Sequence, residues 1–222
     1  MAKKIFITAT GTDIGKTYVS ALIVKKMREA GLNCGYYKPV LSGVKEQNGK
    51  LVESDCNYVV NTANLPVNAD ECVTYRWEEA VSPHLAAKRA GEVIQTEKIL
   101  NDYKKMCDMF DYVLVEGAGG ITCPLRLDNE IYLLKDLIKD LDIPVIIVAD
   151  GGLGTINATL LTVEYARKNN IKINGIILNN FDSGNFMHND NLKQTELLTS
   201  VKVISTVSRN ESNIPVLAEY FE

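Results

Sequence analysis

Short apolar runs alternate along this chain with segments whose apolar residues recur every three or four positions, a pattern that predicts strands and helices in turn. Ile5-Phe6-Ile7 reads as a strand. From Thr17, the positions Val19, Leu22, Ile23 and Met27 share a helical face, with Gly31 placed to end it. Cys34 to Val40 reads as a second strand, broken at Pro39 because proline has no N–H to offer a neighbour. Residues 41–80, including Gln47-Asn48-Gly49-Lys50, look largely polar and loop-like, with a short helix around Asp55 to Asn61. A helix from Ser82 through Ala87 and another over Glu97 to Phe110 lead to 111–116, a nearly continuous apolar strand ending in an acid. The alternation then repeats as a helix near Tyr132 to Asp140, a strand over Val145 to Val148 and a helix near Asn157 to Lys168. It closes with a strand over Ile176 to Leu178, a helix near Leu192 to Leu198 and a strand near Val201 to Ile204.

Strands alternating with helices predict an α/β fold, a doubly wound, mainly parallel sheet flanked by helices. Unbroken apolar runs such as Val113-Leu114-Val115 suit parallel strands covered on both faces. No linker, repeat, low-complexity tract or charge block interrupts the pattern, so one domain over 1–222 is expected. In such a sheet, ligands sit beyond the carboxyl ends of the strands.

Composition narrows the class. Apolar residues make up 46% and charged residues 23% of the chain, as in ordinary globular proteins. The net charge of −4 is spread among interspersed acids and bases, which argues against broad attraction to nucleic acid or anionic membrane. No stretch approaches the roughly 20 apolar residues of a membrane span, and Met1-Ala2-Lys3-Lys4 runs straight into a strand without a signal-peptide core. A cytoplasmic protein is expected. The five cysteines lack a C-x-x-C pair or a zinc-type spacing, so they read as reduced, mostly buried thiols.

The candidate chemistry centres on Thr8 to Thr17, between the first strand and the first helix. Gly15-Lys16-Thr17 at a helix start suits a triphosphate: converging backbone N–H groups and the helix dipole favour an anion, Lys16 adds a cation, and the Thr17 hydroxyl can ligate Mg²⁺. The usual pattern G-x-x-x-x-G-K-[ST] wants glycine where this chain has Thr10, and Gly11 stands one place later. A threonine forced into the left-handed region costs on the order of 1–2 kcal/mol, so the mismatch predicts a variant loop path.

Other strand ends should converge on the same place. Lys38 ends the second strand and suggests a second cation for a transferring phosphoryl group. Glu116 stands where a Walker B acid would help complete the Mg²⁺ shell. Gly117, Gly119 and Gly120 beside it leave room for a ligand to approach the backbone, and Asn179 can offer an amide edge to a nucleobase. His84 reads as a hydrogen-bonded structural histidine rather than a general base.

Together these pieces resemble the ATP-dependent dethiobiotin synthetases of biotin biosynthesis, a P-loop family. The resemblance is carried by Thr12 to Thr17, Gly35-Tyr36-Tyr37-Lys38-Pro39-Val40 with Ser42-Gly43, Ser54-Asp55, Ser82-Pro83-His84, Val113 to Gly120, Leu153-Gly154-Thr155-Ile156-Asn157 and Asn179. It implies that 7,8-diaminononanoate, CO₂ and MgATP become dethiobiotin, ADP and phosphate through a carbamate and a carbamic-phosphoric anhydride. Lys16, Lys38 and Thr12 would be catalytic. ATP would lie against Asp13 to Tyr18 (Ile14 and Gly15 among them), Asp55, Glu116 to Gly119 (Ala118 among them), Asn179, Asn180 and Pro215-Val216-Leu217. The substrate would contact Thr12, Ser42, Gly119 and Gly120, and Thr17, Asp55 and Glu116 would hold Mg²⁺. It further implies a homodimer in which Leu153, Gly154, Thr155 and Asn157 of one subunit approach the substrate carboxylate in the other, as a free helix N-terminus would favour.

The chain departs from the family at Ala9 and Gly11, where glycine and aspartate are usual, which predicts a differently shaped first half of the loop. Two other readings fit parts of the pattern. A partition-type or amidotransferase-associated P-loop ATPase would share the sheet and the deviant loop, but the additional lysine usual early in that loop is absent from Ala9-Thr10-Gly11. A nucleotide-binding interaction module would leave Lys38 without a purpose.

Overall fold

A computed structural model of the chain describes residues 2–128 and 130–222; Met1, where the expected domain begins, and Asn129 lie outside them. Seven parallel strands form the sheet: β1 (Lys3–Ala9), β2 (Cys34–Ser42), β5 (Val73–Trp77), β6 (Tyr112–Glu116), β9 (Val145–Asp150), β10 (Ile173–Asn179) and β11 (Val203–Val207). Their order across the sheet is β11-β10-β9-β1-β6-β2-β5. The chain runs outward from β1 to β2 and β5, returns to insert β6, then crosses β1 to lay down β9 to β11. This brings the carboxyl ends of β1, β2 and β6 side by side, and those of β9 and β10 next to them.

The apolar runs explain the central position of these strands. Ile5, Phe6, Ile7, Val113, Leu114, Val115 and Val145 to Val148 are all fully buried, as expected for strands covered on both faces. The covering helices are α1 (Lys16–Glu29), α2 (Asp55–Ala63), α3 (Pro83–Ala90), α4 (Thr96–Met109), α5 (Leu134–Leu141), α6 (Thr155–Lys168) and α7 (Phe186–Thr199). On α1, Val19, Leu22, Ile23 and Met27 face inward, as their spacing requires. The five cysteines are unpaired, three of them buried. No helix among the described residues is long and apolar enough to cross a membrane.

Several elements differ from the sequence-based expectation. Strand β2 passes through Pro39 unbroken: it pairs with β6 over Cys34–Tyr37 and with β5 from Lys38 onward, and Pro39 belongs to neither set of paired residues. The missing donor falls where the strand changes partners. The polar stretch 41–80 contains a hairpin, β3 (Lys45–Gln47) and β4 (Lys50–Glu53), closed by Asn48 and Gly49 at φ 53° and 72°. Asn-Gly with both residues left-handed is a strong hairpin signal, and here it outweighs the polarity. The same stretch supplies β5, whose Tyr75 and Trp77 are buried and stack at 5.9 Å.

A second hairpin, β7 (Pro124–Leu127) and β8 (Ile131–Leu133), takes up Tyr132, and α5 starts only at Leu134 because Asp136 accepts the Leu133 N–H at 2.9 Å. Helix α6 begins two residues earlier than its apolar pattern indicates. Helix α7 begins six residues earlier, at Phe186, because Asn185 caps it through the Met187 N–H at 2.9 Å. Strand β11 starts at Val203 rather than Val201, after the left-handed Ser200 that ends α7.

Candidate active site

The loop between β1 and α1 turns through two left-handed residues, Asp13 (φ 59°) and Gly15 (φ 91°). Neither Thr10 nor Gly11 adopts that conformation, so the displaced glycine carries no strain: the demanding positions fall on an aspartate, which tolerates the region, and on a glycine. Ala9 is simply the buried last residue of β1. At Gly15 a side chain is excluded twice, since a Cβ would also lie 2.2 Å from Asn179 Nδ2. That amide donates to the Ile14 carbonyl at 2.8 Å and so braces the loop from the end of β10.

Lys16 opens α1 and folds back on the loop, its Nζ donating to the Gly11 carbonyl at 3.2 Å. It is 6% exposed. Burial first, and the nearby Lys38 charge second, hold its pKa below the ordinary lysine value in spite of Glu116 and Asp55.

Lys38 lies in the opposite electrostatic situation. Its Nζ donates to Glu116 Oε1 at 2.6 Å and to Asp55 Oδ2. Burial would lower its pKa, but the two carboxylates outweigh burial and raise it above the ordinary value. Burial likewise works against the Asp55 carboxylate, and Lys38 more than offsets it, so the Asp55 pKa is lowered.

Glu116, fully buried at the end of β6, gathers the cluster: Thr17 Oγ1 donates to its Oε1 at 2.8 Å and the Tyr36 hydroxyl to its Oε2 at 3.0 Å. Tyr36 was not singled out from sequence. Its signal is the period of two that puts residues 36 and 38 of one strand on the same face. Asp55 is set in place by the start of α2, where Ser54 Oγ accepts the Asn57 N–H at 3.1 Å.

A cleft of about 730 Å³ opens over these groups, lined by Thr12, Asp13, Gly15, Lys16, Thr17, Lys38, Ser42, Asp55, Ala118 and Gly119. Ala80 to Pro83 form its far wall, and Cys123 adds a thiol that the sequence reading passed over. His84, just beyond, is hydrogen-bonded through Nδ1 to Ser82 Oγ at 3.0 Å.

Not every expected residue reaches the cleft. Of the three glycines after Glu116, only Gly119 fronts it. Gly117 is small for packing, since a Cβ there would press on Leu134 at 2.7 Å and Phe6 at 2.8 Å, and one on Gly120 would meet the Ala9 carbonyl at 3.2 Å. Asn180 Nδ2 donates to Asp150 Oδ2 at 2.7 Å. Pro215, Val216 and Leu217 lie outside the lining, with Leu217 in the core. Leu153 to Asn157 also lie outside the lining, at the start of α6. The Tyr18 hydroxyl donates to the Glu211 carbonyl, tying α1 to the C-terminal segment.

The oxygen set around Glu116 fits Mg²⁺ chemically. Two carboxylates and the Thr17 hydroxyl are the kind of partial shell that Mg²⁺ completes with phosphate oxygens and waters. Among the described residues there is no group of three or more His, Cys, Asp or Glu placed for a metal.

Known proteins resemble the chain at two levels. Residues 3–216 match the family model described as "AAA domain". An ATP-dependent dethiobiotin synthetase of Clostridium botulinum (strain Alaska E43 / Type E3) is 53% identical over 203 residues, 91% of this chain and 89% of that protein. The protein of the same name from Brachyspira hyodysenteriae is 50% identical, covering 99% of this chain and all of its own length. A plasmid partition protein of Borrelia burgdorferi superposes with a TM-score of 0.57 over 99% of this chain and 94% of its own, at 15% identity. That last likeness shows the P-loop fold alone.

Proposed function

The chain belongs to the ATP-dependent dethiobiotin synthetase family, ligases of biotin biosynthesis, and on that premise we propose how its residues carry the reaction. The substrates are 7,8-diaminononanoate, CO₂ and ATP. One substrate amine adds to CO₂ and loses a proton, forming a carbamate. A carbamate oxygen attacks the γ-phosphoryl group, ADP leaves, and a carbamic-phosphoric anhydride remains. The second amine attacks its carbonyl carbon, phosphate departs, and the cyclic urea of dethiobiotin closes.

The observation that carries this reading is the presence of two buried lysines, Lys16 and Lys38, in one cleft. Phosphoryl transfer is catalysed mainly by positioning and charge stabilisation. Lys16 neutralises the phosphates cradled by the Asp13 to Tyr18 backbone, and Lys38 neutralises the carbamate and the phosphoryl oxygens it attacks. Thr17, Asp55 and Glu116 would hold Mg²⁺, which when bound would offset phosphate charge. Thr12 and Ser42 face the carbamate end of the substrate, with Gly119 and Gly120 backbone beside them. Asn179, Asn180 and Pro215 to Leu217 serve the nucleoside.

A homodimer completes the site in this reading. Leu153 is 91% exposed, Leu161 62% and Phe186 87%, on α6, α7 and the loop before them. A second copy of the chain covering this face would bring the α6 N-terminus, with Leu153, Gly154, Thr155 and Asn157, to the substrate carboxylate of its partner. The enzyme acts in the cytoplasm as one domain over 1–222.

Phosphate release is the test, measured with MgATP, with and without 7,8-diaminononanoate and bicarbonate. Release that requires the diamine is expected. Protein that binds MgATP but releases phosphate at the same rate without the diamine would overturn the proposal and favour the interaction-module reading.

A further inference from the structure

Glu116 is a fully buried carboxylate at the end of β6, and its two oxygens are held from different directions. Lys38 Nζ, at 2.6 Å, and Thr17 Oγ1, at 2.8 Å, both donate to Oε1. Among the described residues, Oε2 receives one donor, the Tyr36 hydroxyl at 3.0 Å. Lys38 and Thr17 line the cleft, within reach of whatever enters it. Tyr36 lies outside the lining, fully buried in the core.

The strands explain the difference. Residues 36 and 38 share one face of β2, and the register of β2 against β6 puts Tyr36 opposite Leu114, two residues before Glu116. A tyrosine side chain is long enough to cover that offset, so its hydroxyl reaches the carboxylate from deeper along the strands, whereas Lys38 reaches it at the strand end. In the functional reading above, Lys38 also neutralises carbamate and phosphoryl oxygens and Thr17 also meets Mg²⁺. Both contacts on Oε1 are therefore shared with the ligands, and the Tyr36 contact on Oε2 is shared with none of them. A buried carboxylate is costly to keep without a donor. Carboxylates that ligate a metal are themselves held by hydrogen bonds from groups outside the ligand shell, and losing one such group weakens metal binding about 10- to 100-fold.

We propose that Tyr36 is a positioning residue for the Mg²⁺ site: its hydroxyl fixes the Glu116 carboxylate so that Oε1 stays turned toward Lys38 and Thr17 when the cleft fills. Tyr36 makes no contact with substrate or nucleotide. The inference rests on the functional reading above, in which Glu116 helps to hold Mg²⁺ for ATP.

The test is calorimetric ATP binding, in Mg²⁺ and in EDTA, for the unmodified protein and for Tyr36→Phe, which keeps the ring and removes the hydroxyl. In Mg²⁺ the ATP dissociation constant of the variant is expected to rise about 10-fold, and in EDTA to stay within about twofold. Diamine-dependent kcat, lowered at the Mg²⁺ concentration that saturates the unmodified enzyme, should be regained at about 10-fold more Mg²⁺. Equal losses of ATP affinity in both conditions, as a purely structural role would give, or no loss in either, would overturn the positioning role. If Tyr36→Phe does not fold, the same change is made in a Glu116→Gln background, which leaves no buried charge unpaired. No further loss of Mg²⁺-dependent affinity is expected there, and a further loss would overturn the assignment, because Tyr36 would then act by another route. Unmodified protein that binds MgATP without diamine-dependent turnover would overturn the ligase reading alone, since the Tyr36 role is judged by ATP binding. ATP affinity of the unmodified protein that does not respond to Mg²⁺ would overturn the Mg²⁺ assignment and the Tyr36 role with it.

Discussion

The two halves of the sheet end carry out different kinds of work. Over β1, β2 and β6 the side chains are charged: Lys16, Lys38, Asp55 and Glu116 meet in one cleft with Thr17 and Tyr36 between them. Over β9 and β10 they are mostly amides, Asn179, Asn180 and Asn191, with Asp150 accepting hydrogen bonds from the Gly152 N–H and Asn180 Nδ2. Charges act on a ligand through space and need little more than proximity. Amides act through directed hydrogen bonds and shape the backbone that meets the ligand. In the proposed reaction the first half supplies the chemistry, and the second sets the loops beside it.

This division can be broken most sharply at Lys38. Lys38→Ala removes the cation shared by Glu116 and Asp55 and leaves a buried carboxylate without its partner, a change worth about 3–5 kcal/mol of stability. It should also lower kcat by about 10²–10³-fold, the usual cost of removing one preorganised charge stabiliser. Thermal unfolding and phosphate release measure the two effects separately. The pH dependence carries a further signature. The lowered Asp55 pKa contributes stability that is present above the ordinary carboxyl value of 3.8 and is lost as pH falls through the lowered one. That acid slope should shrink in Lys38→Ala, and an unchanged slope would mean that Lys38 does not hold Asp55 in its charged form.

Gly15→Ala strikes the junction of the two halves. It forces a Cβ into the left-handed region, at about 1–2 kcal/mol, and displaces the Asn179 amide, at about 1 kcal/mol more. A fall in unfolding free energy of that sum is expected, with weakened ATP binding by calorimetry. Ser54→Ala should cost less, about 1 kcal/mol for the lost cap of α2, and should loosen Asp55 without disturbing Asn179.

Lys16→Ala gives the smallest effect on stability and the clearest contrast with Lys38. A lysine whose folded pKa is lowered destabilises the fold while charged, and that cost disappears as pH rises toward the ordinary value of 10.5. The variant should therefore unfold at the same temperature as the unmodified protein at neutral pH, or slightly higher, while ATP-dependent turnover is lost. In the unmodified enzyme, kcat/KM for ATP should fall on the alkaline side before the ordinary lysine range is reached. A marked loss of stability in Lys16→Ala would erase the distinction between the two lysines.

The sequence by itself determined the alternating strands and helices, the phosphate loop and nearly all the charged residues of the cleft. These are written in local patterns: apolar runs, a three-to-four-residue period, and glycine, lysine and threonine at a strand-to-helix turn. The hairpin at Asn48-Gly49 carried a local signal too, but the polarity of 41–80 made that stretch read as loop. What only the tertiary structure decided are contacts between residues far apart in the chain.

The brace from Asn179 to Ile14 joins positions 165 residues apart, and Tyr36 meets Glu116 across 80. Gly117 looks like an opening for a ligand until Phe6 and Leu134 close over it. Asn191 belongs to a polar run that hides the first turns of α7, and its burial becomes intelligible only when the Gly151 and Gly152 carbonyls arrive from another strand. Apolar periodicity records which face of an element is covered. It says nothing of where a buried amide finds its partners, because those partners are brought to it by the assembled sheet.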